Sequence, residues 1–141
     1  MSVMRCAPSC HVEFNATPLS GVPLMPAGFA ILTALGVVAR TWPTDIEITC
    51  GSEGKHSGPT DPHKRGEAID VRTNNLTKEQ KYQLVGDVIV QLRSGATDTV
   101  RMVGKTEVDG WCTDHFFACV ESPGQPNEHA HFQVRRGTSY P

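Results

Sequence analysis

The chain is organised around the stretch Pro62-His63-Lys64-Arg65-Gly66-Glu67-Ala68-Ile69-Asp70-Val71. Its second half alternates, with Ile69 and Val71 on one face of a predicted strand and Asp70 on the other. Gly66 permits a sharp turn before that strand, so the side chains of His63 and Asp70 can approach each other. Taken alone, such a pair is also what an ordinary surface ion pair looks like.

A second stretch changes that interpretation: Glu128-His129-Ala130-His131-Phe132. Because His129 and His131 alternate, a regular strand places both imidazoles on one face. Two assignments are open at this point. Either both imidazoles bind a metal ion, or His131 binds it while Glu128 lies beside it as the base that hydrolysis needs. Imidazole and carboxylate ligands, three in number with one position open, are typical of a catalytic zinc ion.

Composition limits the possible classes of protein. The chain has 141 residues, 38 % of them hydrophobic, and a formal net charge of −2. This length suits one domain. Neither the net charge nor any run of Lys and Arg favours nucleic-acid binding. The uninterrupted apolar segment 27–39 is shorter than the ~20 residues that cross a bilayer, so no membrane span is expected.

The cysteines and the N-terminus bear on the cellular compartment. Five Cys without a Cys-x-x-Cys motif suggest free thiols of a reducing cytosol, with a Cys112–Cys119 disulfide as the alternative. The N-terminal segment, with one basic residue, is a poor signal peptide. We therefore expect synthesis in the cytoplasm without a signal peptide.

Periodicity predicts an α+β fold with a small antiparallel sheet and two main helices packed on it. The helices are expected at roughly 26–40 and from a capping box at Thr77 to about Ser94. An irregular arm over 1–25 precedes a single domain over 26–141. The predicted strands lie at 46–50, 68–72, 100–103, 116–120 and 129–135.

The two motifs together resemble those of a known group of enzymes. They read His63-x-x-Gly66-x-Ala68-x-Asp70 and Glu128-x-x-His131. This pattern is similar to that of the zinc D-Ala-D-Ala carboxypeptidases and dipeptidases and of the phage L-alanyl-D-glutamate endolysins, and it covers roughly 46 to 135. The resemblance implies a Hedgehog-like zinc fold, one Zn²⁺ held by His63, Asp70 and His131, and Glu128 as the catalytic base.

The resemblance also implies a function. We expect a zinc metallopeptidase that hydrolyses an amide bond in peptidoglycan stem peptides, with a water activated by the metal and Glu128 as its base. It would act at the cell wall after lysis or delivery, and its oligomeric state is left open with a monomer as the expectation. The alternative is a non-catalytic zinc protein that serves recognition, as the Hedgehog signalling domain does.

Substrate binding is where this chain departs from those relatives. Asp61 stands where they have Ser, and the loop after residue 50 lacks the Arg that they often carry there. The candidates for contacting the metal ligands or binding the substrate are His129, Arg65, Lys55 and His56.

Overall fold

A computed structural model describes residues 4–6, 24–50, 62–63, 65–138 and 140, with the backbone alone for 4–6 and 50. Two helices pack on a small, largely antiparallel sheet, which confirms the predicted α+β fold. Among the described residues, no helix is long and apolar enough to cross a membrane.

Within the described part of the chain, the sheet has seven strands in the order β1-β2-β3-β7-β6-β5-β4. Only β1 and β2 pair in parallel, and every other neighbouring pair is antiparallel. The strands are β1 Met4–Cys6, β2 Ile46–Cys50, β3 Ala68–Arg72, β4 Arg101–Met102, β5 Trp111–Cys112, β6 Phe116–Glu121 and β7 His129–Val134. The two stretches that carry the motifs are thus direct neighbours, β3 beside β7.

Both helices begin where the sequence predicts. Helix α1 spans Pro26–Ala39 and has proline in its first turn, where a missing N–H costs nothing. Helix α2 spans Lys78–Gln91 and begins with the predicted capping box. In that box the Gln80 backbone N–H donates to Thr77 Oγ1 (3.2 Å), and the Thr77 N–H donates to Gln80 Oε1 (2.9 Å).

The two helices cover one face of the sheet. The central strands contribute the apolar half of their alternation to this core, and they present the other half to the opposite face. The core residues from β3, β6 and β7 are Ile69, Val71, Phe116, Ala118, Val120, Ala130, Phe132 and Val134. The uncovered face is therefore free to carry polar chemistry.

Two parts of the fold were not expected from the sequence. The short strand β5 and a 3-10 turn at Glu107–Asp109 lie where only a turn-rich region was predicted, and β4 is shorter than its prediction. Met4–Cys6 forms a strand, and the rest of the predicted arm up to residue 23 lies outside the described residues. Cys112 and Cys119 are free thiols.

The beginning of α1 braces the turn that carries His63. Gly66 has φ 71° and its carbonyl oxygen accepts the Met25 N–H at 3.0 Å. A Cβ atom on Gly28 would lie 2.3 Å from that same oxygen, closer than real Cβ contacts. Glycine at position 28 is therefore required by the close approach of helix and turn.

We predict that Gly28→Ala destabilises the fold by about 1–3 kcal/mol, because the added methyl group must displace backbone atoms. Gly36→Ala in the same helix is the control, since a Cβ atom there meets nothing within 4 Å. That control should raise the free energy of unfolding by up to about 1 kcal/mol through helix propensity. Denaturant titration measures both, and equal effects of the two substitutions contradict the prediction.

Candidate metal centre

The pairing of β3 with β7 places Asp70 directly opposite His131. Both side chains lie on the face that the helices leave uncovered, because their neighbours Ile69 and Phe132 enter the core. His63 joins them from the turn before β3. All three residues are buried, with 5–8 % of their surface exposed.

The three side chains converge on one point. Asp70 Oδ1 lies 2.8 Å from His131 Nδ1 and 3.1 Å from His63 Nε2. One donor atom from each residue lies within 4.8 Å of the other two, which is the arrangement of a group able to hold a metal ion. The structure thus brings together the three residues that the resemblance names as metal ligands.

The electrostatics of the triad favour an ionised carboxylate. Burial by itself raises the pKa of Asp70, but hydrogen bonds and charge interactions with His131 and His63 outweigh it and hold that pKa well below its ordinary value. Burial tends to lower the pKa of His131, and the hydrogen bond to Asp70 reverses this and raises it. A metal ion therefore competes with a proton for His131, and its affinity should fall as the pH is lowered.

A second group of possible ligands adjoins the first: Glu121, His129 and His131. Glu121 Oε1 lies 3.2 Å from His131 Nδ1, and Glu121 Oε2 lies 3.8 Å from His129 Nε2. The hydrogen bond to Glu121 is the main reason that the pKa of His129 rises to about 9. Because both groups use the same His131 nitrogen, they are alternative sites for one ion.

Glu128 belongs to neither group. Its carboxylate is buried, and it accepts hydrogen bonds from Lys81 Nζ, Thr73 Oγ1 (2.7 Å) and the Gly124 N–H (2.9 Å). Burial tends to raise the pKa of Glu128, but these three donors lower it below its ordinary value. Glu128 is therefore ionised at neutral pH and holds the start of β7 against α2.

One contact of the centre was missed from the sequence. His131 Nε2 lies 2.7 Å from Gln133 Oε1, and Gln133 Nε2 donates to the Val134 carbonyl oxygen. Since the amide oxygen can only accept, Nε2 of His131 donates a proton to Gln133, and Nδ1 is the ring nitrogen that faces Asp70. The alternation of His129, His131 and Gln133 along β7 was the available signal.

The remaining predicted residues have different positions. His129 Nε2 lies 3.6 Å from Asp70 Oδ2, at the edge of the triad. Arg65 is half exposed and forms an ion pair with Glu67 at 3.2 Å. Lys55 and His56 lie outside the described residues, as does the whole loop 51–61.

Comparisons with protein families, curated proteins and solved structures found no match to this chain. Function is therefore inferred from the two motifs and from the geometry of the triad. That geometry consists of two imidazole nitrogens and one ionised carboxylate oxygen gathered on a single sheet face.

We predict that Gln133→Leu weakens metal binding by tenfold or more, because His131 loses the hydrogen bond at Nε2 that helps to orient its ring. Gln133→Glu should restore or exceed the original affinity, since a carboxylate oxygen accepts the same proton. Competition with a chromophoric chelator measures the affinity. The control is Gln91→Leu, at an exposed position on α2, and a Gln133→Leu affinity equal to that of this control contradicts the prediction.

We predict that Glu128→Gln lowers the free energy of unfolding by about 1–3 kcal/mol at pH 7, because Lys81 loses its charged partner. The folded-state pKa of Glu128 is below 4.5, so its stabilisation is complete above that value and is lost as the pH falls through the folded-state pKa. The difference from the parent protein should accordingly shrink in acid. Urea titrations from pH 7 to pH 3 measure this difference in the free energy of unfolding, and Glu107→Gln at an exposed position is the control. A difference that stays constant over this pH range contradicts the prediction.

Proposed function

We propose that this protein is a zinc-dependent peptidase that hydrolyses an amide bond in peptidoglycan stem peptides. The observation that carries the proposal is the convergence of His63, Asp70 and His131, which the resemblance names as the zinc ligands, into one buried cluster. These residues come from two separate parts of the chain. A chance ion pair would need only one imidazole and one carboxylate, whereas here a second imidazole joins them.

The donor set fits zinc. Two imidazole nitrogens and one carboxylate oxygen form a three-ligand set that leaves one position open for chemistry. The lowered pKa of Asp70 supplies its charge at neutral pH. We propose a single ion, because His131 Nδ1 is common to both possible ligand groups.

A zinc ion bound by these residues supplies Lewis-acid chemistry, which polarises a carbonyl group and makes water a stronger acid. The protein must then accept a proton and return it to the leaving amine. We propose Glu128 for this role because the resemblance implies it; its carboxylate is ionised, and it must give up part of the Lys81 ion pair to accept the proton. Glu121 is the other carboxylate to test, because its side chain is 44 % exposed and contacts His131.

The proposal predicts that purified protein releases peptide fragments from peptidoglycan when zinc is supplied and stops when a chelator removes it. His131→Ala should abolish the activity, because one of three ligands is lost. Mass spectrometry of the fragments identifies the bond that is cut. Activity that survives both chelation and His131→Ala contradicts the proposal.

The identity of the base is tested separately. Glu128→Gln should reduce kcat by at least 100-fold while zinc content stays unchanged, whereas Glu121→Gln should leave kcat within a few-fold of the parent value. Because Glu128 also stabilises the fold, both variants are assayed at a temperature where circular dichroism shows them folded. The reverse result assigns the base to Glu121.

One observation favours a second candidate function, a zinc protein that binds without turnover. The carboxylate of Glu128 is already engaged by three donors, one of them the Lys81 ammonium. A base in that position has to give up a partner when it takes a proton. Stoichiometric zinc together with binding but no cleavage of stem peptides would establish this second function.

The proposed substrate also sets the place of action. A peptidase for stem peptides works at the cell wall, which we propose it reaches after lysis or delivery. We propose that it works there as a monomer.

A further inference from the structure

We propose that a cavity beside the metal centre binds a carboxylate group of the peptide substrate. This cavity, called here the arginine cavity, has a volume of about 570 Å³ and is lined by Arg101, Met102, Val103, Cys112, Phe117, Gln133, Arg135 and Arg136. The inference rests on the proposed peptidase function and adds to it the position at which an anionic part of the substrate lies.

The cavity lies on the same face of the sheet as the metal ligands. Strand register places four of its lining residues in one row across four strands: Arg101, Cys112, Phe117 and Gln133. In β7, Gln133 is two residues from His131, a distance of ~7 Å along a strand. A peptide bound at the metal centre can therefore reach the cavity within about two residues.

Gln133 joins the cavity to the metal centre. It lines the cavity and its amide oxygen lies 2.7 Å from His131 Nε2. No other side chain separates the two along β7, because the intervening Phe132 enters the core. The cavity and the centre are consequently two parts of one surface.

Two of the three guanidinium groups in the cavity, those of Arg135 and Arg136, have no ion-pair partner among the described residues. Arg101 is paired with Asp114 at 3.3 Å and with Asp98 at 3.8 Å. Arg135 makes only a long hydrogen bond to the Thr113 carbonyl oxygen, and within the described part of the chain neither Arg135 nor Arg136 has an ion-pair partner. The described residues that line the cavity include no Asp or Glu. Guanidinium groups in this state bind carboxylates well, since their fork donates two parallel hydrogen bonds.

The apolar lining indicates what accompanies the carboxylate. Phe117 forms part of the floor, and Met102 and Val103 are about half exposed at the rim. A small apolar side chain next to the charged group would cover this surface. A peptide end such as that of a stem peptide has this combination, whereas a bare inorganic anion does not use the apolar part.

The opposite end of the sheet face differs in charge. The cavity beside His129 is lined by Arg72 together with Glu47 and Glu128. Arg72 is paired with Glu47 at 3.1 Å, so no free cation faces this second cavity among the described residues. The two ends therefore distinguish the two directions of a bound peptide, with the anionic group towards Arg135 and Arg136.

The test uses the fluorescently labelled peptide L-Ala-D-Glu-L-Lys-D-Ala-D-Ala with free carboxylates and the same peptide with every carboxylate amidated. Binding is followed by anisotropy, with zinc-loaded protein and again after chelation. The chelated protein is decisive, because a carboxylate can otherwise bind the metal directly. The variants are Arg136→Gln, Arg136→Lys, the double variant Arg135→Gln/Arg136→Gln, and exposed Arg93→Gln as a matched control.

We expect the acid peptide to bind at least tenfold more tightly than the amide, with and without zinc. Arg136→Gln should weaken binding of the acid about tenfold, which is the loss expected for a charge-assisted hydrogen bond, and Arg136→Lys should recover part of it. The double variant should bind acid and amide alike, and Arg93→Gln should match the parent. In hydrolysis assays the same substitutions should raise KM and leave kcat nearly unchanged.

Equal binding of the two peptides by chelated parent protein, or no binding of either, overturns the inference. So does an acid preference that persists in the double variant. If the protein shows these binding results and still cleaves stem peptides in a zinc-dependent manner, the proposed function is retained and the role of the arginine cavity is rejected. Conversely, an acid preference that the double variant removes, in a protein that cleaves nothing, supports the cavity and rejects the proposed function.

Discussion

The antiparallel pairing of β3 with β7 is the contact on which the rest of the molecule depends. It places Asp70 opposite His131 on one face and Ile69 opposite Phe132 on the other. A shift of one residue in this register would exchange the two faces, moving the carboxylate into the core and the phenyl ring into solvent. The hydrophobic core therefore fixes the register, and the register in turn fixes the geometry of the candidate metal ligands.

The uncovered face of the sheet then has a definite order along β7. His129, His131 and Gln133 follow one another at every second residue, and Arg135 continues the series just after the strand. The carboxylates of Asp70 and Glu121 lie towards the start of this series, and the guanidinium groups that lack an ion-pair partner among the described residues lie towards its end. This change of charge along β7 does not depend on a loop, because every second side chain of a strand lies on the same face of the sheet.

The features of the fold that the sequence predicted correctly are those that depend on neighbouring residues. The capping box, the alternation of β3 and the Gly66 turn depend on neighbouring residues, and the structure has all three. The contacts missed were those that distant parts of the chain make. Lys81 and Thr73 reach Glu128 from 47 and 55 residues away, and no local pattern marks such partners. The pairing of β1 with β2 and the short β5 also depend on neighbours that only the folded chain provides.

The position of β7 within the sheet has a consequence for the order of events during folding. Among the described strands it comes last in sequence, yet it lies between β3 and β6. Without β7, the sheet would divide into β1-β2-β3 and β6-β5-β4, each with an open edge. The contact that closes the triad joins residues 61 positions apart, so a nascent chain has only His63 and Asp70 until its final strand emerges. Tight metal binding would then report that synthesis has passed β7 and that the two halves of the sheet have joined.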